Sequence, residues 1–302
     1  MDSSQLTVSN IHSSRLIYGC MRIAGDNTPA DKSKGKLALR AAIEAGYNHF
    51  DHADIYGAGH CETLFGEFLT ELTSNSSVSR EQLIITSKAG IKTNPQHYDF
   101  SRQYLLNSVD ASLKRLNTDY LDMFLLHRPD YLFNAEQVAA TFQHLHESGK
   151  VKHFGVSNFS PSQVNLLQSA LDMPLLVNQV EINIHNIERL LDGTLDQCQQ
   201  HKITPIAWCP LGGVAYPAWG NTFTPAVEQR IAKELDRQSN HYQCQPWQII
   251  LAWLLKHPAN ICPIIGSTTP ERIIAAKQAL TIEYGHQDWY RLLEARNGFA
   301  QP

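Results

Sequence analysis

Short apolar or β-branched runs alternate with longer helical stretches along nearly the whole chain, and the alternation occurs eight times. The runs end near positions 20, 51, 88, 127, 157, 179, 208 and 266, so the successive gaps are 31, 37, 39, 30, 22, 29 and 58 residues. A strand with its returning helix takes roughly 30 residues, and parallel strands need such a crossover. Eight βα units without a repeat, low-complexity stretch or linker predict an α/β chain folded as a single (β/α)8 TIM barrel over residues 1–302. A doubly wound sheet is the alternative that the same alternation allows.

Strands are predicted over 16–21, 48–51, 83–88, 120–126, 151–157, 175–181, 204–208 and 261–266. The fourth is nearly all apolar, as a strand buried on both faces should be. A helix over 31–45 closes on Gly46. Ser101 opens another that carries Leu105, Val109, Leu113 and Leu116 at helical spacing. Asn134 with Gln137, and Ser160-Pro161-Ser162-Gln163, resemble capping boxes. The long last gap holds an extended loop over 212–225 and an extra helix over 246–257, and residues 6–11 suggest an N-terminal hairpin plugging the barrel floor.

Composition narrows the partners. The net charge of -4, from 25 Lys+Arg and 29 Asp+Glu, gives no footprint for nucleic acid. The longest apolar run, residues 249–255, is far short of the roughly 20 residues that span a bilayer. The first residues are polar, and the six cysteines (Cys20, Cys61, Cys198, Cys209, Cys244, Cys262) include no C-x-x-C pair, as expected of reduced thiols. The expectation is a cytoplasmic chain, monomeric or weakly oligomeric, with no nucleic-acid or membrane partner.

In such barrels function sits at the carboxyl ends of the strands. Four polar residues fall there: Asp51 and Tyr56 in Phe50-Asp51-His52-Ala53-Asp54-Ile55-Tyr56-Gly57, Lys88 in Thr86-Ser87-Lys88, and His127 in Leu125-Leu126-His127-Arg128-Pro129. Each taken alone also suits a solvated rim. Together they form a chemical set. A buried lysine beside a tyrosine is expected to lower the phenol's pKa, with an aspartate keeping that lysine charged. Such a phenol can protonate a carbonyl oxygen as hydride reaches carbon, and a histidine on the same oxygen would orient it. The set suits carbonyl reduction.

On these residues the sequence resembles the aldo-keto reductases, a barrel family that binds a nicotinamide dinucleotide without a Rossmann fold. The resemblance runs from Gly19 to about Ala276. It implies that Asp51, Tyr56, Lys88 and His127 are the catalytic tetrad, with Tyr56 as general acid/base. Relatives that reduce steroid carbon–carbon double bonds carry Glu where His127 stands, so the resemblance implies an oxidoreductase turning aldehydes or ketones into alcohols. Gly155-Val156-Ser157-Asn158-Phe159 is similar to the fifth-strand motif in which Ser157 and Asn158 hold the carboxamide, and Gln179 matches the sixth-strand residue sharing that task. Trp208 stands where the family usually stacks a Tyr on the nicotinamide. Gly19, Cys20, Met21, Asp51, Pro210, Leu211 and Gly213 are further cofactor contacts implied by the same likeness. Gly266-Ser267-Thr268-Thr269-Pro270-Glu271-Arg272 follows the eighth strand and opens a helix, a good place for phosphate, and Arg272 matches the residue gripping the 2′-phosphate. The implied cofactor is NADP and the implied partner a small carbonyl substrate, with no metal.

There are departures. Gly266 replaces a frequent Lys, Ala275 and Ala276 stand where Glu and Asn commonly hold the adenine, and the C-terminal tail is short. The 212–225 loop, with Tyr216, Trp219 and Phe223, is expected to cover the cofactor or line the pocket, or to be a plain surface loop. Gly57-Ala58-Gly59-His60-Cys61-Glu62 only half-matches the dinucleotide fingerprint, since Glu62 replaces the third glycine. Two rival functions remain at this stage. One is a metal-dependent hydrolase using His49, Asp51, Lys88, His127 and His153. The other is a non-catalytic, nucleotide-sensing protein like the channel subunits that resemble this family.

Overall fold

The structure is a computed structural model that describes residues 3–6, 11–75, 78–212 and 223–300. Eight parallel strands close into one barrel: β1 (Ile17–Gly19), β2 (His49–Asp51), β3 (Ile84–Ala89), β4 (Leu121–Leu126), β5 (Val151–Ser157), β6 (Leu175–Glu181), β7 (Thr204–Trp208) and β8 (Cys262–Ile265). They follow one another around the barrel in chain order, and Ile264 of β8 pairs with Ile17 of β1. That pairing removes both sheet edges, so the doubly wound alternative falls. Every strand ends within two residues of the position that the spacing predicts.

The helices α1 (Pro29–Glu44), α2 (His60–Asn75), α3 (Arg102–Leu116), α4 (Ala135–Glu147), α5 (Pro161–Gln168) and α6 (Thr194–His201) return the chain between strands. The long gap after β7 holds α7 (Pro225–Tyr242) and α8 (Pro246–Leu255), and α9 (Pro270–Ala276) and α10 (His286–Asn297) follow β8. Ser160 caps α5 with the full reciprocal box to Gln163. Asn134 caps α4 in one direction only, accepting from the Gln137 amide. Most of the 212–225 loop, including Gly213, Tyr216 and Trp219, lies outside the described residues.

Two apolar layers hold the barrel. Between strands and helices, Phe50, Phe65, Phe124, Phe142, Phe154 and Phe159 are buried with their aliphatic neighbours. Inside the barrel, Ile17, Met123, Leu125, Val177, Ile206 and Ile264 fill the lumen, with Ile11 and Trp208 packed against them. The lumen is thus a solid core, and polar chemistry is confined to its ends.

The N-terminal hairpin pairs Ser3–Leu6 with Ile11–Ser14, so its strands flank the stretch expected to form it. It is fastened to the entry of β2: the Ser14 amide donates to Asn48 Oδ1 at 2.7 Å and Asn48 Nδ2 to the His12 carbonyl at 2.7 Å. A second hairpin, Ile91–Thr93 with Gln96–Tyr98, follows β3 and was not anticipated. Its residues Lys92, Thr93, Gln96 and His97 lack the apolar alternation that marks a half-buried strand.

Candidate active site

Asp51 and Lys88 end neighbouring strands, and their side chains meet inside the carboxyl mouth of the barrel. Lys88 is fully buried; its Nζ donates to Asp51 Oδ1 at 2.7 Å and to the His52 carbonyl at 2.5 Å. From β6, Gln179 Nε2 reaches the same carboxylate oxygen at 2.8 Å, so three separate strands converge on one atom. Burial pulls the Lys88 ammonium down from its usual range, and the Asp51 carboxylate opposes that pull.

Tyr56 is delivered from β2 by a short turn. Gly57 and Ala58 both adopt left-handed backbone, φ 54° and 53°, and Ala58 does so without glycine's freedom. The turn sets the Tyr56 ring edge-on to His127 at 5.8 Å between centroids, with Lys88 Nζ 5.0 Å from the Tyr56 ring. The expected lowering of the phenol pKa is corrected here. Burial, and then the Asp51 carboxylate, push the Tyr56 phenol well above its usual range. The lysine charge is shared with Asp51 and a carbonyl, and in the resting site burial outweighs its pull on the phenol.

His127 follows β4. Its Nδ1 is buried with no hydrogen-bond partner. Burial, then the charges of Lys88 and Arg128, hold its imidazole well below the usual range, so the ring is neutral near pH 7. The mouth therefore presents two neutral proton carriers, a phenol and an imidazole, beside a matched ion pair.

The next wall comes from β5, β6 and β7. Ser157 Oγ donates to the Gln179 carbonyl at 2.8 Å, and Asn158 Nδ2 donates to Ser157 Oγ at 2.9 Å and to the His127 carbonyl at 3.3 Å. Trp208 Nε1 donates to Asn158 Oδ1 at 3.0 Å. The side chains of Trp208, Asn158 and Ser157 thus form one hydrogen-bonded string around the mouth that ends on the backbone carbonyl of Gln179, whose own side chain is turned to Asp51.

The remaining expected contacts are less uniform. Gly19 is glycine for packing, because a Cβ there would lie 2.6 Å from Ile264 Cγ2. Cys20 is fully buried, its amide donating to the Asp51 carbonyl at 2.9 Å, whereas Met21 is exposed. Pro210 is buried and Leu211 half-buried. At Gly266 a Cβ would meet only the Arg22 guanidinium, at 3.5 Å. Ser267 and Thr268 precede the helix rather than open it: α9 starts at Pro270, and Ser267 Oγ accepts from the Thr269 amide at 3.1 Å. Arg272 is exposed on α9 and has no ion pair among the described residues.

Two residues without a predicted role prove informative. Glu62, read in the sequence as spoiling a fingerprint, is fully buried; it accepts from Ser87 Oγ at 2.6 Å and pairs with Arg115 at 2.6 Å, bracing β3 beside Lys88. Arg128 lies over Trp208, its Cζ 5.8 Å from the ring centroid. Its place directly after His127 was the available signal.

The hydrolase alternative does not survive the geometry. His49 has both nitrogens engaged, Nδ1 with Ser13 Oγ at 3.0 Å and Nε2 with Thr86 Oγ1 at 2.7 Å. His153 sits mid-strand opposite Met123. Among the described residues no group of three His, Cys, Asp or Glu side chains is placed to hold a metal ion.

A model of the Aldo/keto reductase family matches residues 15–297. The chain belongs to the aldo/keto reductase family. It is similar to Oxidoreductase YdhF of Escherichia coli strain K12, 40% identical over an alignment of 296 residues that covers 96% of this chain and 95% of that protein. It is also similar to a 6-dehydroglucose reductase of Agrobacterium fabrum, 35% identical over 92% of this chain and 93% of that protein. Among solved structures, the thermostable aldo-keto reductase Tm1743, in complex with the inhibitor epalrestat, superposes with a TM-score of 0.84 at 27% identity, covering 98% of this chain and 100% of that one. The aldo/keto reductase from Klebsiella pneumoniae, in complex with NADP and acetate, shares the fold with a TM-score of 0.78 at 23% identity, over 100% and 97% of the two chains.

Proposed function

We propose that this family member, one domain over residues 1–302, reduces aldehydes or ketones to alcohols with NADP as cofactor, Tyr56 giving the proton. The observation that carries the reading is the placement of two neutral proton carriers, Tyr56 and His127, beside the buried Lys88–Asp51 pair at one barrel mouth. The six cysteines are all free thiols, which supports a reducing, cytosolic location. We take the enzyme to act alone or as a weak oligomer on a free small molecule.

The rim residues fit a dinucleotide. Trp208 offers an aromatic face for a nicotinamide, and Ser157, Asn158 and Gln179 offer hydroxyl and amide groups to a carboxamide by exchanging the bonds they now make, Ser157 and Asn158 along the wall and the Gln179 amide to Asp51. The backbone at Gly266 is open to approach, Ser267 and Thr268 add hydroxyls beside it, and the exposed Arg272 suits a 2′-phosphate. A reduced nicotinamide held there supplies a hydride. The chain's own residues govern the proton. The high phenol pKa keeps Tyr56 protonated until a carbonyl oxygen gains negative charge and draws the proton away. The neutral His127 directs that oxygen toward Tyr56. Lys88, pinned by Asp51, lies close enough to favour the phenolate formed after transfer.

Tyr56→Phe should lower aldehyde reduction by about a thousandfold or more, while NADPH binding, followed by tryptophan fluorescence, stays within about twofold of wild type. Wild-type turnover in that variant would remove Tyr56 as the donor.

A further inference from the structure

The reductase reading leaves one charge at the mouth without a task. Arg128 is half-buried at the carboxyl end of β4, its guanidinium over the Trp208 ring. Its positive charge reaches the imidazole of His127, which places it beside the reacting oxygen's partners. Among the described residues it has no ion pair and no hydrogen bond.

The other charges near it are matched. Lys88 is held by Asp51. Asp130, two residues along, is turned inward: its Oδ2 accepts from the Phe100 amide at 3.1 Å and its Oδ1 from the Leu132 amide at 2.9 Å. Arg22, across the rim, donates to the Gly266 carbonyl at 3.4 Å. A half-buried cation gains from a counter-ion that shares its partly desolvated surroundings. The planar guanidinium fork is matched to carboxylate and phosphate. The Trp208 ring beneath it, 5.8 Å from Cζ to the centroid, shields the guanidinium from water on one side.

We propose that Arg128 forms an anion subsite, so that the preferred substrates are aldehydes or ketones bearing a carboxylate or phosphate a few carbons from the carbonyl. The inference rests on the reductase reading above. The carbonyl oxygen then meets Tyr56 and His127 while the acidic group lies on Arg128 against Trp208. The same anion neutralises a cation beside His127 that has no ion pair among the described residues.

The test compares kcat/KM for two matched pairs, succinic semialdehyde with butanal and glyceraldehyde 3-phosphate with glyceraldehyde, in wild type, Arg128→Met and Arg128→Lys. NADPH titration by tryptophan fluorescence confirms that each variant is folded. Wild type should favour at least one charged partner by roughly 10- to 100-fold at low salt, and added salt should shrink that preference. Arg128→Met should erase most of it through KM, and Arg128→Lys should restore part. Preference in only one pair identifies which anion the subsite takes. The proposal is overturned if wild type favours neither charged partner, or if Arg128→Met lowers both members of each pair by one common factor. A wild type that binds NADPH yet reduces none of the four compounds sinks the reductase reading itself.

Discussion

At the amino end of the barrel, His49 has both ring nitrogens engaged, with Ser13 and Thr86, and Asn48 exchanges bonds with the hairpin below it. At the carboxyl end, His127 keeps a buried Nδ1 with no partner, and neither the Tyr56 hydroxyl nor the Arg128 guanidinium has one among the described residues. Both imidazoles are driven neutral by burial, His49 to about 3 and His127 well below its usual range. Neither polarity nor burial separates floor from mouth. Unused hydrogen-bonding capacity does, because a saturated group fixes the fold while an unsaturated one is free to meet a substrate. His52 adds a second condition. Both its nitrogens also lack partners, but it is sealed against Phe65 at 4.5 Å between ring centroids, where no ligand can reach.

The strongest way to break this contrast is at the mouth. Lys88→Met strands the Asp51 carboxylate with only the Gln179 amide, so stability should fall by about 3–5 kcal/mol in denaturant melts and turnover by about a thousandfold. Adding Asp51→Asn should return much of the stability and none of the turnover. A single variant with near-wild-type turnover would show the ion pair to be mere scaffolding.

His52 tests the sealed case. Burial, then Lys88, lower its pKa to about 3, beneath the ordinary value of 6.5. A folded pKa below the unfolded one contributes stability that is intact above pH 6.5 and lost as pH falls toward 3. His52→Leu should therefore make the loss of stability between pH 7 and pH 5 smaller by about 2 kcal/mol. Asp54, raised to about 7 by burial and by Glu62, acts in the opposite sense, which is why the comparison is made between variant and wild type. Identical pH dependence in the two proteins would mean that His52 is not held neutral.

The smallest effect is expected at the floor. Ser13→Ala removes one partner of His49 and should lower stability by about 1 kcal/mol, with kcat/KM unchanged. A change in kcat/KM without loss of stability would mean that the floor communicates with the mouth and that the contrast is too simple.

Much of this was legible beforehand. The strand ends fell where the spacing put them, because parallel strands impose a return path of nearly fixed length. Ser160 and Gln163 announced a helix start because capping is local. Asp51, Tyr56, Lys88 and His127 were expected to converge, and they do, because each lies at or just beyond a strand end on the same barrel mouth. What failed depended on distance between strands. The Tyr56 phenol was expected to be acidified; it is not, because burial outweighs the pull of a lysine shared with Asp51 and the His52 carbonyl. Ser267 and Thr268 were placed in the helix start, yet the proline at 270 begins it. The Ile91–Thr93 hairpin carries no periodic signal, so nothing local foretold it.

Sequence alone determined the order of elements and which polar residues end which strands, since both follow from periodicities of a few residues along one chain. Only the tertiary structure decided how those residues share charge. Gln179 and Lys88 meet on one oxygen of Asp51 although 128 and 37 residues separate them from it. Which proton carriers stay neutral, and which cation stays unmatched, follow from ångström-scale distances across the barrel mouth, and Coulomb interactions and desolvation depend on those distances rather than on separation along the chain.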